Sequence, residues 1–224
     1  MPKEPAFLFD LDGTLVDSVY QHVLSWKDAL DAEGIPLSVW RIHRKIGMSG
    51  GLFTNQLLRE IGEEITEERR ERLRRLHAEA YAHHSEKVRP LPGAIDLLKT
   101  LTRVGTPWAI ATSGRMETAK HNLDRLEIDV ENTPIVTRDD VEHAKPDPDL
   151  FIAAAKLLSV PTSVAIVVGD SIWDMLAAQR CRALGVGLLS GGYGQDELER
   201  AGAFRVYEDP ADMLFHLDEV GGGR

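Results

Sequence analysis

Short apolar segments alternate with amphipathic helical segments along most of this chain, and this alternation limits the fold more than any other feature. Five apolar runs predict strands: Ala6–Phe9, Trp108–Ala111, Pro134–Thr137, Val164–Val168 and Ala183–Leu188. Runs that are apolar throughout suit strands buried on both faces of a parallel sheet. Four amphipathic segments predict helices between them: Gly93–Arg103, Met116–Leu126, Asp149–Leu158 and Ile172–Gln179. Alternating strands and helices of this kind predict a doubly wound α/β fold.

One region interrupts the alternation. Between about Ser18 and Glu86, four helical segments and no strand fit the sequence: roughly Val19–Glu33, Ser38–Ile46, Leu52–Ile61 and Glu67–His83. The arginines of the last segment are interleaved with glutamates and predict a solvated helix face with mixed charges. The prolines and glycine of residues 89–93 end helices there. We therefore expect a Rossmann-like α/β core, residues 1–17 and 89–224, that carries an inserted all-helical cap domain, residues 18–88.

Composition excludes several classes of protein. The 224 residues include 26 Lys and Arg against 36 Asp and Glu, a formal charge of −10, which argues against a nucleic-acid binder. The single cysteine, Cys181, allows no intramolecular disulfide and suits a reducing compartment. The sequence has neither a signal peptide nor an apolar stretch of about 18 residues that could span a membrane. We expect a cytoplasmic protein without a membrane or nucleic-acid partner, either a monomer or a weak homodimer.

Four motifs follow the predicted strands in a fixed order. They are Asp10-Leu11-Asp12-Gly13-Thr14, Thr112-Ser113-Gly114-Arg115, Lys145 before Pro146, and Gly169-Asp170 with Asp174 four residues later. Each has an ordinary structural explanation: an Asx turn, a helix N-cap, an exposed loop lysine and compensation of a helix dipole, respectively. Open α/β sheets bind their ligands at the carboxyl ends of strands. The four motifs together therefore indicate one functional site.

These motifs resemble those of the haloacid dehalogenase (HAD) superfamily, specifically its phosphatases with a helical cap inserted after the first strand. The first motif matches through Asp10 and Asp12, the second through Thr112, the third through Lys145 and the fourth through Asp170 with Asp174. The resemblance extends from Phe7 to about Leu189. It implies a Mg²⁺-dependent phosphatase that acts on a small phosphorylated metabolite, of the phosphoglycolate or sugar-phosphate type.

The resemblance also implies a role for each motif residue. Asp10 is expected to be the nucleophile that forms an aspartyl-phosphate, and Asp12 the acid that protonates the leaving alcohol and then deprotonates water. Thr112 and Lys145 are expected to bind the phosphoryl oxygens. The expected metal ligands are the carboxylates of Asp10 and Asp170, the backbone carbonyl of Asp12, and Asp174, which would hold the metal shell or Lys145.

Substrate choice is expected to reside in the cap and in the loop after the second strand. The candidate substrate-binding residues are His22, Lys45, Gly47, Ser49, Ser113, Gly114 and Arg115. His22 could equally be an ordinary helix histidine with a local partner. Glycine at position 47 would let the cap loop approach the site closely.

Other functions remain open at this stage. A phosphosugar mutase of the β-phosphoglucomutase kind is the alternative within the family, although Gly50 stands where those mutases carry an arginine. A non-catalytic phospho-receiver also combines acids, a hydroxyl and a lysine on a doubly wound sheet. In a receiver, however, the phospho-acceptor follows a later strand. A dehalogenase is disfavoured by Asp12 and by the pair Asp170 and Asp174. A phosphonate hydrolase is disfavoured because Lys27 and Lys45 are not expected to have the desolvated surroundings that a Schiff-base lysine needs.

Overall fold

A parallel sheet of six strands forms the centre of the structure, a computed structural model that describes residues 5–48, 50–62 and 66–222. The strands lie in the order β3-β2-β1-β4-β5-β6, and every described pair is parallel. Their bounds are β1 Ala6–Phe9, β2 Trp108–Ala111, β3 Ile135–Val136, β4 Ala165–Gly169, β5 Leu184–Leu188 and β6 Ala203–Tyr207. This is the doubly wound, Rossmann-like sheet that the sequence predicts.

Successive residues of β1 explain why the strand is apolar throughout. Phe7 and Phe9 are fully buried on one face of the sheet, and Leu8 between them is fully buried on the other. Neighbouring side chains on a strand point to opposite faces, so a central strand covered on both sides must be apolar at every position. Each face of the sheet therefore needs its own layer of helices.

Within the described part of the chain, six α-helices cover the sheet. Their bounds are α5 Ala94–Val104, α6 Met116–Leu123, α7 Asp149–Leu157, α8 Ile172–Arg180, α9 Gln195–Arg200 and α10 Pro210–Phe215. Helices α5, α6 and α10 pack on the face that holds Phe7 and Phe9. Helices α7 and α8 pack on the face that holds Leu8. The two layers bury the sheet between them, as in other doubly wound folds.

Four further helices lie between β1 and α5 in the chain and are called the cap below. They are α1 Val19–Ala32, α2 Val39–His43, α3 Gly50–Ile61 and α4 Glu67–His84. Trp26 and Leu30 of α1, Phe53 of α3 and Leu73 of α4 share an apolar cluster separate from those of the sheet. The cap thus has a small core of its own.

Two short segments connect the cap to the sheet and run side by side. The Asp17 N–H donates to the Arg89 carbonyl at 2.9 Å, and the Leu91 N–H donates to the Leu15 carbonyl at 3.0 Å. Val16 and Pro90 form an antiparallel bridge between them. These hydrogen bonds hold the outgoing and returning chains together at the edge of the site.

The carboxyl-terminal part of the chain contains elements that the sequence reading did not predict. Strand β6 exposes Phe204 and Arg205, as an edge strand can, so it lacks the continuous apolar run used to predict strands. Helix α9 has six residues and buries only Leu198.

Strand β3, in the middle of the chain, has two residues, whereas the sequence predicts four. Among the described residues, no helix is both long and apolar enough to cross a membrane.

Candidate active site

The carboxyl ends of three neighbouring strands bring three of the four motifs together. Strand β1 pairs with β2 on one side and with β4 on the other, in parallel. Asp10 follows β1, Thr112 follows β2 and Asp170 follows β4. Parallel neighbours end at the same edge of the sheet, so residues distant in sequence become neighbours in space.

Three buried carboxylates form the centre of the site, and we call Asp10, Asp170 and Asp174 the acidic cluster. One carboxylate oxygen from each lies within 4.8 Å of the others. The Lys145 ammonium contacts Asp10 and lies 2.8 Å from Asp174 Oδ1, and its side chain is fully buried. The Lys145–Pro146 peptide is cis. The site thus places one buried lysine against two of the three buried acids.

Burial and mutual repulsion oppose ionisation of the acidic cluster. Burial raises the pKa of Asp10 to about 7 despite the attraction of Lys145, and Asp174 and Asp12 add to the rise. Burial, with repulsion from Asp174 and Asp10, also raises the pKa of Asp170 well above its usual value. Burial would lower the pKa of Lys145, but the carboxylates of Asp10 and Asp174 raise it above its usual value. When all three carboxylates are ionised, their negative charge exceeds the positive charge of Lys145.

A hard divalent cation fits this cluster. Mg²⁺ prefers oxygen ligands, and carboxylates that converge without enough positive charge attract it. Two glycines let the surrounding backbone approach Asp170: a Cβ on Gly13 would lie 2.6 Å from its carboxyl carbon, and one on Gly191 would lie 1.7 Å from its Oδ2. Thr14 Oγ1 donates to Asp170 Oδ1 at 3.1 Å and orients the carboxylate. The donor set and its close packing suit a metal site.

Asp12 lies beside the cluster, but its carboxylate belongs to another network. Its Oδ1 accepts hydrogen bonds from Ser18 Oγ at 2.6 Å and from Asn122 Nδ2 at 2.7 Å, and it lies 3.2 Å from His22 Nε2. Burial would raise the pKa of Asp12, but the charge of His22 and these hydrogen bonds lower it overall. The two acids of the first motif, two residues apart in sequence, therefore occupy different electrostatic surroundings.

The loop after β2 forms another side of the site. Thr112 is fully buried, and its Oγ1 accepts a hydrogen bond from the Gly114 N–H at 3.0 Å. Ser113 Oγ donates to the Gly47 carbonyl of the cap at 3.1 Å. Arg115 is more exposed, with its guanidinium 3.2 Å from Asp139. The second motif predicts Thr112, Ser113, Gly114 and Arg115 as site residues, but it does not predict Asp139.

Between cap and sheet lies a cavity of about 500 Å³. It is lined by Asp10 and Asp12, by the loop residues Thr112, Ser113, Gly114 and Arg115, and by the cap residues His22, Trp26, Lys45, Gly47, Met48, Phe53, Arg74 and His77, among others. Gly47 has a φ of +92°, and a Cβ there would lie 2.8 Å from Ser171 Oγ, so only glycine fits without strain. Ser49 lies outside the described residues. Lys45 is only 6% exposed, so the expectation that it lacks desolvated surroundings is wrong.

Aromatic rings and histidines of the cap form one wall of this cavity. His22 stacks on Tyr81 with ring centroids 3.9 Å apart, and Trp26 stacks on Phe53 at 4.1 Å and on His77 at 4.3 Å. Burial lowers the pKa of His77 well below its usual value, which favours the neutral ring. His22 thus has the local partners of an ordinary helix histidine and also reaches Asp12.

The sequence reading missed Asn122, Tyr81, His77 and Ser18. The sequence pattern around Asn122 could have indicated its role. Asn122 lies on the apolar face of α6 with the buried Ala119 and Leu123, where a polar side chain needs a hydrogen-bond partner. Tyr81 continues the apolar stripe of Leu73 at helical spacing. These residues belong to no motif, so only the fold reveals that they surround Asp12 and its partner His22.

A family model describes most of the chain. The model of the haloacid dehalogenase-like hydrolases matches residues 5–182. The chain belongs to this family. The match includes all four motifs and the cap between the first and second of them, as the sequence resemblance implies.

Relatives of this HAD-like chain include named phosphatases. It is 35% identical to hexitol phosphatase A of Escherichia coli over 80% of this chain and 82% of that one. It is 32% identical to phosphoglycolate phosphatase 1 of Pseudomonas aeruginosa over 95% of this chain and 79% of that one. A crystal structure of a hydrolase from Pseudomonas syringae is 60% identical and superposes with a TM-score of 0.95, covering 98% of this chain and all (100%) of that one. The chain is therefore a hydrolase of the phosphatase kind.

Proposed function

We propose that this enzyme is a Mg²⁺-dependent phosphatase that hydrolyses a small phosphorylated metabolite through an aspartyl-phosphate on Asp10. The observation that carries the proposal is the position of Asp10. It contacts Lys145, belongs to the acidic cluster and lines the cavity beneath the cap. A nucleophile that attacks a phosphate dianion must be next to positive charge, and Lys145 provides one positive charge at that carboxylate.

In the first half-reaction, a carboxylate oxygen of Asp10 forms a bond to phosphorus while the bond from phosphorus to the leaving alcohol breaks. Asp12 gives its proton to the departing oxygen. Lys145 and Thr112 stabilise the charge on the phosphoryl oxygens, together with N–H groups of the loop after β2. This step requires Asp10 to be ionised and Asp12 to carry a proton.

In the second half-reaction, water attacks the phosphorus of the aspartyl-phosphate, and the bond to Asp10 breaks to release inorganic phosphate. Asp12, now a carboxylate, takes the proton of the attacking water. The lowered pKa of Asp12 favours this anionic state. Asp10 is restored as a carboxylate and the cycle closes.

Asp10, Asp170 and Asp174 would hold Mg²⁺, and the backbone carbonyl of Asp12 would be a further ligand. When bound, Mg²⁺ supplies positive charge that lets Asp10 ionise and a phosphate dianion approach it. Asp174 also contacts Lys145, so it would fix the lysine as well as the metal.

The cavity favours a substrate larger than a two-carbon phosphate. Its volume of about 500 Å³ lies within the usual range of small-molecule sites. Lys45 and Arg115 add positive charge, and Trp26 and Phe53 provide an apolar wall. We therefore place sugar phosphates and hexitol phosphates ahead of phosphoglycolate as substrates of this enzyme.

A substrate panel tests this function. Release of inorganic phosphate is measured from phosphoglycolate, sugar phosphates and hexitol phosphates, with Mg²⁺ and with EDTA. We expect Mg²⁺-dependent release with a ranking of kcat/KM among the metabolites. Conversion of a sugar phosphate to its isomer without net phosphate release would instead identify a mutase. A long-lived phosphoprotein without turnover would identify a receiver.

A further inference from the structure

Asn122 is a buried polar residue without a place in the mechanism above. It lies on α6 of the sheet domain and is 1% exposed. Its Nδ2 donates to Asp12 Oδ1 at 2.7 Å and to the Tyr81 hydroxyl oxygen at 2.6 Å. Both hydrogens of the amide are thereby used. The carboxylate can only accept, so the NH₂ group must be the end that faces Asp12.

Tyr81 connects this amide to the cap. It is fully buried on α4, its hydroxyl contacts Asn122, and its ring stacks on His22 with an interplanar angle of 2°. His22 in turn lies 3.2 Å from Asp12 Oδ1. One tyrosine therefore supports both the sheet-side and a cap-side contact of Asp12.

The contacts of Asp12 are uneven between its two oxygens. Those from Ser18, His22 and Asn122 all end on Oδ1. Asp12 also lines the cavity, with 17% of its side chain exposed. Fixing one oxygen from three directions sets the rotation of the carboxylate and therefore the direction of the other oxygen. Proton transfer needs that direction to be correct within hydrogen-bond reach.

We propose that Asn122 and Tyr81 are positioning residues that hold Oδ1 of Asp12, so that Oδ2 exchanges the proton with the leaving alcohol. This rests on the proposed role of Asp12 as the acid. Neither residue is among those that line the cavity. Their effect is therefore on proton transfer and not on substrate binding.

The test uses two substrates that differ in their need for a proton. An alkyl phosphate, such as the best sugar or hexitol phosphate of the panel, releases a basic alkoxide that must be protonated. p-Nitrophenyl phosphate releases a stabilised phenolate that needs little help. The ratio of kcat/KM reports the step that expels the leaving group, and it separates loss of the acid from general damage.

For Asn122→Leu, which keeps much of the shape and removes the donor, we expect kcat/KM for the alkyl phosphate to fall about 10- to 100-fold, the scale of impaired general acid catalysis. For p-nitrophenyl phosphate we expect a fall of less than about threefold. The loss for the alkyl phosphate should appear in kcat, with KM little changed. Tyr81→Phe should shift the ratio in the same direction by a smaller factor.

A matched control is Thr162→Val, since Thr162 lies before β4 and its hydroxyl donates a 2.7 Å hydrogen bond to the Cys181 carbonyl. The variant likewise removes one side-chain hydrogen bond. It should leave the substrate ratio unchanged. An equal loss for both substrates in Asn122→Leu, or no loss for either, would overturn the proposal. If that variant does not fold, Tyr81→Phe decides by the same ratio.

The positioning proposal and the proposed function fail in different ways. Asp12→Asn should itself lower kcat/KM far more for the alkyl phosphate than for p-nitrophenyl phosphate. If it lowers kcat/KM equally for both substrates, the acid role of Asp12 is wrong and the positioning proposal falls with it. If Asp12→Asn shows the difference but Asn122→Leu and Tyr81→Phe do not, only the positioning proposal is wrong.

Discussion

The two sides of the cavity are built in different ways. On the sheet side, Asp10, Lys145, Asp170 and Asp174 are buried, charged and tied to strand ends. On the cap side, the cavity is lined by stacked rings and by longer polar side chains from several helices. Strand ends define position closely, whereas a helical cap can exchange side chains without disturbing the sheet. From this difference we propose that the sheet side performs the chemistry and that the cap selects the substrate.

Asp10→Asn tests the sheet side with the largest expected effect. The amide keeps the volume but removes the nucleophilic charge, so we expect kcat to fall at least about 1,000-fold for every substrate. Phosphate release from the panel measures it. The control Asp196→Asn changes an exposed carboxylate on α9 and should keep normal rates. Near-normal turnover in Asp10→Asn would reassign the nucleophile and remove the chemical role from the sheet side.

Lys145→Met tests whether the acidic cluster needs its buried ammonium. Its removal leaves carboxylates uncompensated, so we expect a loss of about 3 kcal/mol in the free energy of unfolding without Mg²⁺. Added Mg²⁺ should restore part of that loss in the variant. Urea unfolding with Mg²⁺ or EDTA measures both effects. Stability equal to that of the wild type in EDTA would show that Lys145 does not balance the cluster.

Lys45→Gln tests the cap side, because Lys45 lines the cavity from the cap. If the cap selects the substrate, KM for the best metabolite should rise about 10-fold, the value of one charged hydrogen bond. The rate with p-nitrophenyl phosphate should change less than about threefold. Steady-state kinetics on the panel make the comparison. A loss of kcat that is uniform over all substrates would contradict the division between sheet and cap.

Arg44→Ala tests a peripheral contact and has the smallest expected effect. The Arg44 guanidinium pairs with Glu197 of α9 and lies over the Tyr193 ring at 4.2 Å, joining cap and sheet outside the cavity. The side chain of Arg44 is 34% exposed and that of Glu197 is 40% exposed, so water screens the attraction between them. The pair should therefore contribute under about 1 kcal/mol.

The measurement for this pair is a double-mutant cycle of Arg44→Ala and Glu197→Gln, read as kcat/KM and as stability. We expect a coupling energy under about 1 kcal/mol and a change in KM of less than about fivefold. A much larger coupling energy would mean that the contact between cap and sheet, and not the residues that line the cavity, limits catalysis.

The same division explains what could be predicted from the sequence. Strands β1, β2 and β4 are apolar throughout and are followed by charged or hydroxyl residues, so the sequence predicts both the sheet and its motifs. Parallel pairing then placed Asp10, Thr112 and Asp170 together.

The residues that were not predicted depend on packing between distant elements. Tyr81 and Asn122 are 41 residues apart, and Asn122 and Asp12 are 110 apart. No local pattern encodes their meeting, since each is one polar group on an otherwise ordinary helix. Strand β6 was missed for a simpler reason, because its exposed edge gives it a mixed pattern.

The most direct test of the central claim is to trap the phosphoryl group on the protein. The enzyme is mixed with its best substrate and Mg²⁺, quenched in acid within one turnover, and reduced with borohydride, which converts an aspartyl-phosphate to homoserine. Peptide mass analysis then locates the change. We predict homoserine at position 10, formed at least as fast as kcat and absent with EDTA. Full turnover without modification of Asp10, or modification at another residue, would contradict the account.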